Sequence, residues 1–248
     1  AQEPTTQSIT INVEDNVINF YYAKRTDLEY TVNYLEKDTN EIIAESKVVT
    51  GQTYLQEITE YAIDVEGYVA VDPTSQTIIV KVEGNVINFY YTKRTDLSYT
   101  VKYLEKGTDA VLADEKVVGN QTFKSTVTEN AIDIEGYNKL DPKEQTITIK
   151  VENNEIIFYY EKRTDLEYIV NYLEKDTNQV LADSKTVTGQ TYLAEVTENA
   201  IDIKGYDKVD PTTQTIVIKV ENNVINFYYT KRTDLEYTVN YLEKNTNA

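Results

Sequence analysis

The side chains able to do chemistry in this chain are carboxylates and phenols. It holds 42 Asp and Glu and 22 Tyr among 248 residues, and no His, Cys, Met or Trp. Without imidazole or thiol there is no Ser-His-Asp triad, no thiolate nucleophile and none of the usual zinc ligand sets. Paired carboxylates could serve glycoside hydrolysis, which sets two acids across a cleft. Here the acids are scattered along the whole sequence, so solvated surface carboxylates are the simpler reading.

Glu36-Lys37-Asp38-Thr39-Asn40 opens like a calcium loop, but the D-x-[DN]-x-[DN]-G pattern is not completed. The place of Asp38 is taken by Gly107, Asp176 and Asn245 at equivalent positions. A required ligand would not become Gly, so this stretch reads as a plain hairpin turn. No metal and no cofactor is expected, although the charge leaves room for an acidic cation site of another kind. Tyr22, Tyr91, Tyr160 and Tyr229 each end a Tyr-Tyr pair. Neighbours on a strand point to opposite faces, so one ring of each pair is buried and the other is displayed. These four are the candidate ligand-binding residues, stacking on sugars; the alternative is packing against the following copy, favoured by their place beside the joining segment.

The elements that position these groups recur every 69 residues. Tyr30, Tyr99, Tyr168 and Tyr237 open the same segment, and Pro4, Pro73, Pro142 and Pro211 keep the same spacing. A unit of this length is longer than a typical solenoid repeat and can hold a small core of its own. Repeated, closely similar copies do not build one unique catalytic site, so no enzyme is expected. The boundaries are read as a partial repeat at 1–24 (a closing hairpin), modules at 28–93, 97–162 and 166–231, and a partial repeat at 235–248 (an opening strand). The absence of Met points to a piece of a longer array. The half-units at its ends are expected to be frayed, or to pair end to end between molecules.

Within one copy, Tyr30, Val32 and Tyr34 alternate on one face, which predicts a strand; residues 42–49 predict its hairpin partner. Residues 53–62 predict a short helix, with Leu55, Ile58 and Ala62 at helical spacing. Ile63, Val65 and Tyr68 return the chain to the core around Gly67. Residues 77–82 and 86–91 predict a second hairpin across Glu83-Gly84-Asn85, where Gly and Asn tolerate positive φ. The last strand is uncharged and β-prone, and Glu83 and Lys93-Arg94 flank it as gatekeepers. The linkers carry Lys24-Arg25, Lys93-Arg94, Lys162-Arg163 and Lys231-Arg232. They are about six residues long, without Gly or Pro, which favours stiff joints.

The net charge is −18. Nucleic acid and anionic membranes are disfavoured as partners, because phosphate binding needs clustered Lys and Arg. The charge serves solubility and mutual repulsion. No stretch reaches the ~20 apolar residues of a membrane helix.

The strand Tyr-Thr-Val-Asn-Tyr-Leu-Glu-Lys from Tyr30, the segment Ile-Asp-Val-Glu-Gly-Tyr ending at Tyr68 and the strand Asn-Val-Ile-Asn-Phe-Tyr-Tyr ending at Tyr91 resemble MucBP (mucin-binding protein) repeats of Gram-positive surface adhesins. The resemblance covers every copy. It implies β-grasp-like modules, mainly β or α+β, strung as beads in an elongated rod. In that topology the first and last strands lie parallel in mid-sheet. It also implies a cell-wall-attached extracellular protein: an adhesin stalk or spacer, or alternatively an array with one weak glycan or glycoprotein site per copy. Some surface adhesins carry Lys–Asn isopeptide bonds, but no spacing here singles out such a triad.

Overall fold

The computed structural model describes residues 2–242 and 244. The described residues are all-β, and none is helical. The first copy holds six strands: β1 (Leu28–Glu36), β2 (Ile42–Gln52), β3 (Glu57–Tyr61), β4 (Tyr68–Ala70), β5 (Ser75–Ile79) and β6 (Val86–Lys93). The middle copy repeats them as β7 (Leu97–Glu105), β8 (Lys116–Gln121), β9 (Thr126–Asn130), β10 (Tyr137–Lys139), β11 (Glu144–Thr148) and β12 (Glu155–Lys162). The third holds β13 (Leu166–Glu174), β14 (Val180–Gln190), β15 (Glu195–Asn199), β16 (Tyr206–Lys208), β17 (Thr213–Val217) and β18 (Val224–Lys231).

The chain divides into two compact units, one of Ala1–Thr100, Val117–Val127 and Thr146–Glu155, the other of Val101–Lys116, Thr128–Gln145 and Ile156–Ala248. In the first unit, four strands form a sheet in the order β2-β1-β6-β4, and β3 and β5 form a separate pair. In the second, β14-β13-β18-β16 and β15–β17 repeat this plan. The first and last strands of the copy are parallel neighbours in mid-sheet, with Thr31 opposite Val86 and Glu36 opposite Tyr91. Ile169 to Glu174 pair with Val224 to Tyr229 in the same register.

Alternation builds the core. Tyr30, Val32 and Tyr34 on β1 and Ile87, Phe89 and Tyr91 on β6 are buried, and Ile58 and Ile78 of the β3–β5 pair close over them. Tyr34 stacks on Phe89 at 6.3 Å and meets Tyr91 edge-on at 6.4 Å, the offset and edge geometries aromatic rings prefer. The copy is therefore a two-layer unit, a four-stranded sheet roofed by a two-stranded one.

Two expectations are corrected. The helix over residues 53–62 does not form. Leu55 sits at φ 64 and its N–H donates to Val80 O, which ends any helical turn. Ile58 and Glu60 then alternate inward along β3, while Thr59 bonds Thr77 across the pair at 2.8 Å. Leu55 is exposed, so its helical spacing to Ile58 was incidental. The second hairpin does not form either. The Gly84 turn is present, at φ +75, but β5 pairs with β3, and β6 pairs with β1 and β4. Asn85 causes the change of layer. Its Oδ1 accepts from Lys81 N–H, and its Nδ2 donates to Lys81 O and Glu29 O. The loop is thereby closed on itself and pinned to Glu29 at the start of β1, and Val82 is left exposed.

Residues 2–27 carry no strand, so the closing hairpin expected in 1–24 is absent there. Its loop is closed by Asn16, which bonds both N–H and C=O of Asn12, and its arms meet where Gln2 N–H donates to Tyr21 O and Gln7 Nε2 to Asn19 O. Of the opening strand expected in 235–248, residues 235–242 and 244 are described, exposed and without strand; Glu243 and residues 245–248 lie outside the described residues. Val65 and Tyr68 do pack on the core, whereas Ile63 is exposed and contributes backbone.

Candidate functional site

Two features of the copies do work that a generic β unit would not: the clamp between first and last strands, and the joint to the next copy. The clamp runs through backbone bonds of the parallel β1–β6 pair and side chains on both its faces. On the inner face, Tyr30 Oη donates to Glu60 at 2.5 Å and Lys47 Nζ reaches the same oxygen at 2.6 Å, tying β1 and β2 to the roof. Tyr168, Glu198 and Lys185 repeat the triad at 2.5 and 2.6 Å. Burial, with the Glu60 bond, pushes the Tyr30 phenol up to about 12. The Lys185 and Tyr168 bonds hold the Glu198 carboxyl below the usual carboxylate range against the effect of burial. Tyr91 Oη donates to Ile63 O and accepts from Ile63 N–H, at 2.9 and 3.1 Å.

The joint is built by the linker Arg. Arg94 N–H donates to Gly67 O and Arg94 O accepts from Phe123 N–H, both at 2.9 Å, so one residue stitches two copies. Its guanidinium grips Asp96 through two bonds of 2.9 and 2.8 Å, fixing the turn into the next copy. Phe123 sits edge-on to Tyr68 at 5.5 Å. Its ring lies so close to Gly67 that a Cβ there would meet it at 2.3 Å. Gly67 also has φ +78, in the region Gly adopts without steric penalty. Lys124 Nζ caps both rings at 5.5 and 5.4 Å. The second joint, wholly inside the second unit, repeats this with Arg163, Gly136, Tyr137 and Tyr192: backbone bonds of 2.9 Å, rings at 5.7 Å, and 2.3 Å from a Gly136 Cβ to the ring.

Of the expected linker residues, Arg94 and Arg163 carry the joints. Arg25 O accepts from Tyr54 N–H in the same way, and Arg232 N–H donates to Gly205 O. The lysines act inside their own copies. Lys93, Lys162 and Lys231 reach Glu36, Glu105 and Glu174, at 3.2, 3.7 and 3.1 Å, across the ends of the clamp strands. Lys24 is exposed. The Glu36 loop is a plain turn, in which Thr39 Oγ1 donates to Glu36. Among the described residues no cluster of three or more Asp or Glu is placed to hold a metal ion.

The candidate sugar-stacking residues are corrected. Tyr91, Tyr160 and Tyr229 are 1%, 0% and 0% exposed, so their rings offer no face to a ligand. The pair's outward member is the first one, Tyr90 or Tyr159. Tyr22 alone of the four is open, at 74%. The joint aromatics were missed in the sequence; the recurrence of Tyr54, Phe123 and Tyr192 at one position of each copy was the available signal.

An open cleft of about 500 Å³ lies beside the first joint, between Arg94–Thr100 and the loop Val151–Glu155. Clefts of about 370 and 350 Å³ recur by Arg25 and Arg163. In the first cleft Arg94 is committed to Asp96, and Asn154 to Lys150 and Ser98.

No family model and no curated protein matches this chain. Solved structures that it resembles include the type 2 repeat of the mucus binding protein MUB from Lactobacillus reuteri, at 12% identity and TM-score 0.21 over 54% of this chain and 99% of that one. Another is the Bacillus anthracis TIE protein, at 11% and 0.35 over 84% of this chain and about half (51%) of that one. A third is a pair of Streptococcal High Identity Repeats in Tandem domains from a cell surface protein, at 11% and 0.22 over 54% of this chain and 95% of that one.

Proposed function

We propose that this chain is a non-enzymatic, load-bearing segment of a bacterial cell-surface protein, a stalk or spacer that holds other domains away from the cell wall. The observation that carries this reading is the parallel pairing of the first and last strands in mid-sheet. Tension enters a copy at the start of β1 and leaves at the end of β6. The two strands are then pulled in opposite directions along their length, so the backbone bonds between them are loaded together in shear rather than opened one by one. The joints support the same reading. The linker residues Arg94 and Arg163 are each bonded through both N–H and C=O, which removes slack between the copies they join. Repetition adds length without adding chemistry.

Single-molecule stretching of the chain tests this. The expected record is a series of high-force steps of equal length, one for each complete copy. Steps at the low forces typical of strands peeled apart bond by bond would refute the load-bearing role.

A further inference from the structure

Two of the three complete copies carry a side-chain tie across the strands that tension would shear. In the first, Ser46 Oγ on β2 donates to Asn33 Oδ1 on β1 at 2.8 Å, and Asn33 Nδ2 donates to Asn88 Oδ1 on β6 at 2.9 Å. Three adjacent strands are thereby linked on the outer face, and the Asn33–Asn88 bond spans the parallel pair itself. The third copy repeats the tie through Ser184, Asn171 and Asn226, at 2.7 and 2.9 Å. In the middle copy Glu115, Lys102 and Ile157 hold these positions. Ile157 has no polar side-chain atom and an ionised Glu donates nothing, so the tie cannot form there.

Two further differences run the same way. The edge strands β2 and β14 are 11 residues long, whereas β8 has 6, and residues 112–115 ahead of it lie in no strand. At the end of the clamp, Lys93–Glu36 and Lys231–Glu174 close to 3.2 and 3.1 Å, but Lys162–Glu105 stands at 3.7 Å. Thr39 and Thr177 donate to the same carboxylates at 2.9 and 2.5 Å, while Thr108 Oγ1 lies 3.3 Å from Glu105, beyond the usual O–H···O range. Exposed ion pairs are worth little, so the tie and the shortened strand are the larger losses.

We propose that the middle copy is the yield point of the array. Under rising tension its clamp slides open first, while the first and third copies stay folded. Forced unfolding follows the rate of opening, and each bond missing from the clamp raises that rate. Once released, a copy of 69 residues extends to at most roughly 230–250 Å. Load is then relieved by added length before it reaches whatever the array carries. This inference rests on the load-bearing reading and assigns that load unequally among the copies.

The test compares the chain with two variants by single-molecule stretching, and by hydrogen exchange at rest. Lys102→Asn, Glu115→Ser and Ile157→Asn together install the tie in the middle copy. Asn33→Lys, Ser46→Glu and Asn88→Ile together remove it from the first copy, using residues with which the middle copy already folds. The unaltered chain should give one step at lower force than the other two. The first variant should lift that step to the level of the others, and the second should produce two low steps. At rest, β7 should exchange about 10-fold faster than β1 and β13, as expected for the loss of one or two net hydrogen bonds; the three strands differ in sequence, so their fragments have distinct masses. Three high steps of one force, or a low step that neither variant moves, would overturn the proposal. If every force is low, the load-bearing reading falls and the exchange ranking decides: equal exchange in the three copies overturns the weak middle copy as well, and faster exchange of β7 alone upholds it.

Discussion

Replacing Gly67 by Ala separates two effects that usually arrive together. Gly67 and Gly205 occupy the same position of their copies, with φ of +78 and +85. Placing an L side chain in that region costs about 1 kcal/mol at either site. A Cβ at Gly205 meets nothing within 4 Å, whereas at Gly67 it falls 2.3 Å from the Phe123 ring. The ring must leave, which forfeits the edge-on contact with Tyr68 and the Lys124 cap, each worth roughly 0.5–1.5 kcal/mol. Gly205→Ala should therefore cost about 1 kcal/mol, and Gly67→Ala about 2–4. The readout must be local, because tandem copies need not unfold in one step. Amide hydrogen exchange at Arg94 and Phe123 serves, since both N–H groups bond across the joint. In Gly67→Ala their protection should fall while that of β1 and β6 stays. With Phe123→Ala in the background, the extra cost of Gly67→Ala should vanish, leaving the backbone penalty alone. Equal costs at Gly67 and Gly205, with the Phe123 amide still protected, would refute the joint as an energetic coupling.

Other outcomes follow from the clamp. The carboxyls of Glu198 and Glu174 are held below their ordinary value of 4.5 by Lys185 and Thr177 bonds respectively. The stability they add is fully present above pH 4.5 and is lost as pH falls below it; Glu198→Gln should flatten that acid limb in urea titrations at successive pH values. Tyr30 and Tyr160 are pushed up to about 12 by burial. Their stabilising effect holds below pH 10 and is lost as pH rises toward 12, so phenolate absorbance should show a late-titrating class that appears together with unfolding. Tyr91→Phe removes both bonds to Ile63 and leaves a backbone N–H and C=O short of a partner, a loss of about 1–3 kcal/mol by urea denaturation. Trypsin should cut after Lys24 well before Arg94, whose N–H and C=O are both engaged; simultaneous cleavage at the two would argue against an ordered joint, as judged by mass spectrometry of timed digests.

The strands were legible where one rule decides them. Tyr30, Val32 and Tyr34 alternate, and so do Ile87, Phe89 and Tyr91, and burial follows the alternation. The pairing was less legible, because adjacent strands joined by a tight turn normally form a hairpin. Gly84 supplies that turn, but Asn85 binds Glu29 of β1 from 56 residues away, and no local rule reports such a bond. The residues over 53–62 failed for a related reason. Their apolar spacing fits a helix as well as a strand, and Leu55 in the left-handed region is settled by its bond to Val80.

The site residues show what repetition can and cannot disclose. The Tyr-Tyr pairs were visible, and alternation required one ring in and one out, but the sequence of a pair does not say which. The structure resolves it through the partner strand: Tyr91 lies opposite Glu36 with its hydroxyl on Ile63, and Tyr90 lies opposite Leu35 on the outer face. Differences between copies are the finer signal. Position 54, 123 and 192 stays aromatic because a ring is needed to fill the notch at Gly67 or Gly136. Position 33, 102 and 171 changes from Asn to Lys and back. A position constant in all copies thus marks what holds the array together. A position that varies between copies on one exposed face marks where one copy is free to do something its neighbours do not.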